Sequence, residues 1–383
     1  MQLPEGPVVF TFPTRVVFGD GVARQVGEEL SRSGVARPLV VTDRGLVESG
    51  LFDRVFAGVR QAVLFDGVQS NPTEADCLAG LALFRARGCD GVIGFGGGSP
   101  IDAAKAIRLL ATHPGELADY DVTRGGMGRI TANLPPMLAI PTTAGTGSEV
   151  GRAALIQLPQ TGRKSAILSP YLIPNVAICD PELTRDLSPS LTAGTGMDAL
   201  SHATESYLSS TFHPPCDGIA LEALRYIARG LESSVRDGRD AEARRAMMMG
   251  SLLGGMSLQK GLGIVHALSH ALGAEGRVHH GTLNAILLPH ALRYNRPAAE
   301  SRMVDLGMQF GLGRSADSAG HLIVLYELLL NRLPLPKRLG EVDGLDAARI
   351  GQYAERATRD HCLRTNPRPA STAELEELLR EAW

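Results

Sequence analysis

Up to about residue 180 the chain alternates short apolar, β-branched runs with stretches of helical spacing, and this alternation constrains the fold more than any other feature. RPLVVTD (37 to 43), QAVLFD (61 to 66), DGVIGFGG (90 to 97), PMLAIPTT (136 to 143) and NVAICD (175 to 180) read as strands buried on both faces, because a strand with one solvated face would alternate apolar with polar residues. TEADCLAGLALFRARG and PIDAAKAIRLLATH between them carry helical periodicity. Strands and helices in alternation imply a wound parallel sheet with helices on its faces. After DPELTRDLSPSLTAGTG (180 to 196) the strand-like runs stop, and MDALSHATESYLS, CDGIALEALRYIARGLESSV, AEARRAMMMGSLLGGMSLQKG and AGHLIVLYELLLNRL follow as helices. The expected architecture is an α/β domain with a parallel sheet over residues 1–185 and an all-α domain over residues 186–383.

Composition excludes several function classes. With 44% hydrophobic and 21% charged residues the chain is globular rather than disordered or fibrous, and at 383 residues both domains can bury a core. The formal charge of -3 and the scatter of Lys and Arg speak against nucleic acid and anionic membranes as partners. No apolar run approaches the roughly 18 residues a membrane-spanning helix needs, and MQLPEGPVVFTFPT lacks the basic and apolar regions of a signal peptide, so a cytoplasmic protein is expected. Five widely spaced cysteines without a CxxC give neither a disulfide framework nor a zinc ribbon.

The stretch VIGFGGGSPIDAAKAI is a strand, a glycine-rich turn and a helix. Gly96, Gly97 and Gly98 let backbone approach a phosphate, Ser99 and Pro100 suit a helix start, and the free N–H groups there favour an anion. The third glycine of the usual dinucleotide fingerprint is replaced by Ser99, so this loop alone is as compatible with an unliganded turn as with a pyrophosphate site. PTTAGTGSEV (141 to 150) adds a second polar loop after another strand. Asp43, closing LVVTD, is placed to accept hydrogen bonds from a ribose and to repel a 2′-phosphate, which favours NAD over NADP; an ordinary turn aspartate is the alternative.

Four of the ten histidines fall in GIVHALSHALGAEGRVHHG (263 to 281). His266 and His270 stand four apart, as do Asp198 and His202 in GMDALSHATES, and on a helix that spacing stacks each pair on one face. His279 and His280 follow a turn that can return one of them over the helix, so three segments offer imidazoles and one offers a carboxylate. Borderline divalent ions accept such donors; a metal-free polar network joining two helices is the competing reading. His290, ten residues on, is a spare donor. His113, His213, His321 and His361 read as structural.

Taken together, SNPTEAD, GGGSPIDAAKAI, PTTAGTGSEV, GMDALSHATES, GLGIVHALSHALG, HHGTLNAILLPH and TNPR resemble the iron-containing (group III) alcohol dehydrogenases over nearly the whole chain. SEVGRAALI, FHPPCDGIALEAL and DHCLRTNPR are similar to the branch of that family containing 4-hydroxybutyrate dehydrogenases. The resemblance implies an N-terminal dinucleotide-binding domain, a helical C-terminal domain of the dehydroquinate synthase-like architecture, and a homodimer. It implies Asp198, His202, His266 and His280 as ligands of Fe(II), with Zn(II) equally suited to the donors, and leaves His270 for proton transfer or substrate positioning. Asp43, Asn71, Gly97, Gly98, Ser99, Asp102, Thr142, Thr143, Ser148 and Lys164 are implied to contact the NAD dinucleotide. Gly151 and Arg152 depart from the usual GTGSEVT.

The implied reaction is NAD-linked interconversion of a small primary alcohol or hydroxy acid with its aldehyde, 4-hydroxybutyrate and succinic semialdehyde being one such pair. Arg152, Lys164 and Arg277 are candidate anchors for a substrate carboxylate, and Cys362 a candidate pocket residue. Alternative readings are a dehydroquinate synthase-like or glycerol phosphate dehydrogenase-like enzyme, a metal-dependent hydrolase without a dinucleotide, and an oligomerising protein with a structural metal.

Overall fold

Strands β1 (Arg15–Phe18), β2 (Pro38–Val41), β3 (Val63–Phe65), β4 (Gly91–Gly96), β5 (Met137–Pro141) and β8 (Val176–Cys179) form one parallel sheet, ordered β1-β8-β5-β4-β2-β3. Strands β6 (Ala153–Leu158) and β7 (Arg163–Leu168) make a separate antiparallel pair. The computed structural model describes Phe12 and residues 15–160, 163–274 and 278–383. The backbone divides into two units, parting between Arg185 and Asp186.

In the α/β unit the sheet carries helices α1 (Val26–Arg32), α2 (Arg44–Glu48), α3 (Leu51–Phe56), α4 (Glu74–Ala86) and α5 (Gly98–Thr112). The apolar runs are continuous because both faces of each central strand are covered. Leu39, Val41, Val92, Met137 and Ala139 belong to one core, and Val40, Ile93, Phe95, Leu138, Ile140, Val176 and Ile178 to the other. The five runs read as strands all form strands. β1 and the β6–β7 pair lie in stretches where no strand was expected; β6 alternates half-buried with buried residues, the pattern of a strand with one covered face.

The order of strands fixes where a ligand can enter this unit. The chain passes from β2 outward to β3 and then back across β2 to β4, so the connections diverge between β2 and β4. A crevice outside the carboxyl ends of strands at such a point is the usual ligand position in open α/β sheets. Asp43 follows β2 there, and Gly96 to Ser99 follow β4. Gly96 adopts φ +145°, a conformation that L side chains rarely tolerate, and this turns the chain from β4 into α5.

The helical unit contains α6 (Pro189–Leu208), α7 (Pro214–Arg236), α8 (Ala241–Ser257), α9 (Ile264–Gly273), α10 (His280–Gln309), α11 (Ser318–Arg332), α12 (Ile350–Thr358) and α13 (Thr372–Ala382). Ser188 caps α6, and Pro189 occupies the first helical position, where no hydrogen bond is lost. From Thr192 to Leu208 α6 is buried, with one half-buried residue at Thr195. Contact between α6 and α10 is close enough that a Cβ on Gly281 would overlap the Gly194 carbonyl. That approach brings the first turn of α10 against the middle of α6, where Asp198 and His202 lie. No described helix is long and apolar enough to cross a membrane.

Candidate metal centre and nucleotide loops

Three helices bring four donors together in the helical unit. Asp198 and His202, one turn apart on α6, and His266 in the first turn of α9 have donor atoms within 4.8 Å of one another, all three residues being buried. Asp198 Oδ1 is the common point: His202 Nε2 lies 3.6 Å from it, His266 Nε2 3.7 Å and His280 Nε2 3.6 Å. These separations are too long for hydrogen bonds between the rings and the carboxylate. They match the edge of a tetrahedron, about 3.4 Å when each donor stands about 2.1 Å from a central ion. Three imidazole Nε2 atoms and one carboxylate oxygen therefore fit a divalent transition metal in both chemistry and spacing.

The electrostatics agree. Burial by itself raises the Asp198 carboxyl, but His202, His266 and His280 around it outweigh burial and hold it well below the usual carboxylate range. Asn284, four residues after His280 on α10, donates from Nδ2 to Asp198 Oδ1 at 2.7 Å, while its buried Oδ1 has no hydrogen-bond partner among the described residues. The same Nδ2 stands 3.2 Å from His266 Nε2 and 3.1 Å from His280 Nε2, at the focus of the cluster. Wall and opening differ: the His202 and His266 side chains are 6% and 2% exposed, that of His280 24%.

His279 takes another position. It precedes the first residue of α10, its ring lies where a Cβ on Gly194 would come within 2.7 Å, and its Nδ1 stands 3.4 Å from Thr282 Oγ1. His270 is stacked against His280 with ring centroids 5.4 Å apart, and its Nδ1 is 3.0 Å from Asp360 Oδ2. Burial raises the Asp360 carboxyl, but His270 and His361 outweigh it and hold the group well below the carboxylate range. His290 lies away from the cluster, 3.8 Å from Glu381. His361, read as structural, sits beside Asp360 and Cys362, and its ring stacks on His270 at 6.2 Å.

Glu205, Asn284 and Asp360 were not singled out from the sequence. Glu205 had a signal, since it follows Asp198 by seven residues and His202 by three, on the same helical face. Asn284 had the same kind, one turn after His280. Asp360 had none, because only tertiary packing brings it to His270.

In the α/β unit most of the residues implied to contact a dinucleotide follow β2, β3, β4 and β5, while Lys164 lies on β7. Asp43 caps α2, its Oδ1 accepting from Leu46 N at 3.0 Å. Ser99 Oγ donates to Ser70 O at 2.5 Å, and Lys164 Nζ stands 3.4 Å from Asn71 Oδ1. Gly97 and Gly98 open α5, and Thr142 N bonds Gly96 O at 3.0 Å, with Thr143 following. Asp102 and Ser148 are buried and already engaged: Ser148 Oγ and Leu155 N donate to the two Asp102 oxygens at 2.6 and 3.1 Å. Lys105, fully buried, binds Ser148 Oγ and the Gly151 and Ala153 carbonyls at 2.9, 2.9 and 2.7 Å, tying the second loop to α5. Of the candidate carboxylate anchors, Arg152 and Lys164 lie in this unit, and Arg277 lies outside the described residues.

Comparison with known proteins agrees along the whole chain. The family model for iron-containing alcohol dehydrogenase matches residues 13–181, and the model for the C-terminal part of the Fe-containing alcohol dehydrogenase family matches residues 192–383. A 4-hydroxybutyrate dehydrogenase of Cupriavidus necator is 43% identical, over 96% of this chain and 98% of that protein. The crystal structure of a 1,3-propanediol oxidoreductase is similar with a TM-score of 0.94 at 36% identity, covering 98% of this chain and 99% of the other. A sulfoacetaldehyde reductase from Bifidobacterium kashiwanohense in complex with NAD+ is similar with a TM-score of 0.86 at 27% identity, covering 98% and 99%.

Proposed function

The chain belongs to the iron-containing alcohol dehydrogenase family, and on that premise we propose that it interconverts 4-hydroxybutyrate and succinic semialdehyde with NAD(H) and one iron(II) ion. The observation that carries the chemistry is the convergence of His202, His266 and His280 on Asp198 Oδ1. The choice of substrate rests on the 43% identity to a 4-hydroxybutyrate dehydrogenase. The choice of NAD rests on the NAD+ complex of the related reductase and on the acidic Asp43 after β2.

When bound, the ion supplies Lewis acidity toward the oxygen of the alcohol or aldehyde, and the nicotinamide supplies the hydride acceptor or donor. The residues do the rest. Asp198 and the three imidazoles would hold the ion and leave it a single net positive charge, which would favour negative charge on an oxygen nearby. His202 and His266 are buried, whereas the His280 side chain is 24% exposed. His270 gives its Nδ1 proton to the hydrogen bond with Asp360, which leaves Nε2 as the proton acceptor. In alcohol oxidation His270 Nε2 takes up the hydroxyl proton; in aldehyde reduction it returns one.

NADH oxidation by the iron-loaded enzyme, with succinic semialdehyde against uncharged butyraldehyde, tests the proposal. A kcat/KM at least about tenfold higher for the charged aldehyde is expected, the effect of one charge-assisted contact. Equal or lower values would remove the hydroxy acid as substrate and leave the dehydrogenase reading intact; no turnover with any aldehyde would remove both.

A further inference from the structure

α9 begins without a cap of its own. Its N-cap is Gly263, which offers no side chain, yet Ile264, Val265 and His266 are buried. The first-turn donors are met from elsewhere: Asn366 Oδ1 accepts from Ile264 N at 3.1 Å, and the Glu205 carboxylate on α6 accepts from Val265 N at 2.7 Å and from His266 N at 3.3 Å. Glu205, 5% exposed, also receives the His266 ring: Nδ1 lies 2.5 Å from Oε2.

We infer that Glu205 is a positioning residue that caps α9 and at the same time fixes the tautomer of His266 for metal binding. A carboxylate only accepts hydrogen bonds, so the proton of the imidazole must sit on Nδ1. The lone pair is then on Nε2, the atom that stands 3.7 Å from Asp198 Oδ1. One carboxylate thus links the docking of α9 on α6 to the donor state of a ring from α9. Hydrogen-bonded partners of this kind on ligating histidines typically contribute about 10–100-fold in metal affinity.

The inference rests on the metal-dependent reading above, and substitution at Glu205 separates the two. Glu205→Gln keeps a carbonyl that can accept from Val265 N, but its amide group faces Nδ1 as a donor and drives the proton to Nε2, where it blocks coordination. Glu205→Ala removes cap and ring partner together. Glu205→Asp keeps the charge but shortens the reach. Each holoenzyme is titrated with a chelator to obtain its zinc(II) and iron(II) affinity, and the unfolding midpoint is measured after stripping the metal.

The expected result for Glu205→Gln is metal affinity about 10–100-fold below wild type with a stripped-protein midpoint above that of Glu205→Ala. Glu205→Ala is expected to lose both, and Glu205→Asp to hold metal more tightly than Glu205→Gln. Wild-type affinity in Glu205→Gln overturns the inference, as does an affinity loss matched by a fall in midpoint equal to that of Glu205→Ala, which would mark a cap and nothing more. Should Glu205→Gln fail to fold, wild-type affinity in Glu205→Ala overturns it. If the wild-type chain itself binds neither ion, the proposed function falls and this inference with it.

Discussion

At the scale of single residues, the account turns on which nitrogen atoms face Asp198. His280 and His279 are adjacent in the chain, yet only His280 reaches the carboxylate, because it begins α10 while His279 precedes the helix and turns toward Gly194. His280→Ala should therefore lose the metal on dialysis, whereas His279→Ala should keep one equivalent; metal analysis of the two dialysed proteins decides it. A second expectation concerns proton transfer. Asp360→Asn places an amide where the carboxylate receives His270 Nδ1, so kcat should fall roughly tenfold to hundredfold with KM little changed. Steady-state kinetics showing only a raised KM would make Asp360 a substrate contact instead. The sequence exposed the paired spacings of these residues, Asp198 with His202 and His266 with His270, because four residues is the period of a helix face. Spacing alone left open which of two neighbouring histidines turns inward; the family resemblance implied His280, the residue with which α10 starts.

At the scale of elements, the site is held by the close passage of α10 over α6. A methyl group on Gly281 would overlap the Gly194 carbonyl and force the two helices apart, moving His280 from Asp198. Gly281→Ala is accordingly expected to weaken metal binding by at least about tenfold and to lower stability by about 1–3 kcal/mol, the usual cost of overpacking. Chelator titration and urea unfolding read the two effects. The loop joining β5 to β6 carries a different strain. Burial pushes the Glu149 carboxyl up to about 7, although its own backbone N–H and Lys105 partly offset the shift. Since the unfolded chain ionises this group near 4.5, folding loses free energy as pH rises from about 4.5 to about 7 and changes no further above that. Glu149→Gln removes this loss, so its unfolding midpoint relative to wild type should climb between pH 5 and pH 8; a constant difference would contradict the assignment. The parallel strands were legible because burial on both faces writes an uninterrupted apolar run, as in VIGFG. The β6–β7 pair was not, because AALIQL alternates half-buried with buried positions and reads weakly beside its stronger neighbours.

At the scale of the whole molecule, the chain is an oxidoreductase of the iron-containing alcohol dehydrogenase family. The order of motifs along the sequence already carried that family, whereas the partners of two site histidines, Glu205 with His266 and Asp360 with His270, stand 61 and 90 residues apart and emerge only in three dimensions. Removing the ion should destabilise the folded chain, since a ligand held only by the native state at a hundredfold excess over its dissociation constant contributes about 2.7 kcal/mol. The most direct test is anomalous diffraction at the iron absorption edge from crystals of the iron-loaded enzyme. The account predicts a single strong peak bounded by Asp198 Oδ1 and the Nε2 atoms of His202, His266 and His280, with the Asn284 amide nitrogen displaced from the focus. A peak elsewhere, or that amide still bridging the carboxylate and two imidazoles in iron-loaded crystals, would contradict it.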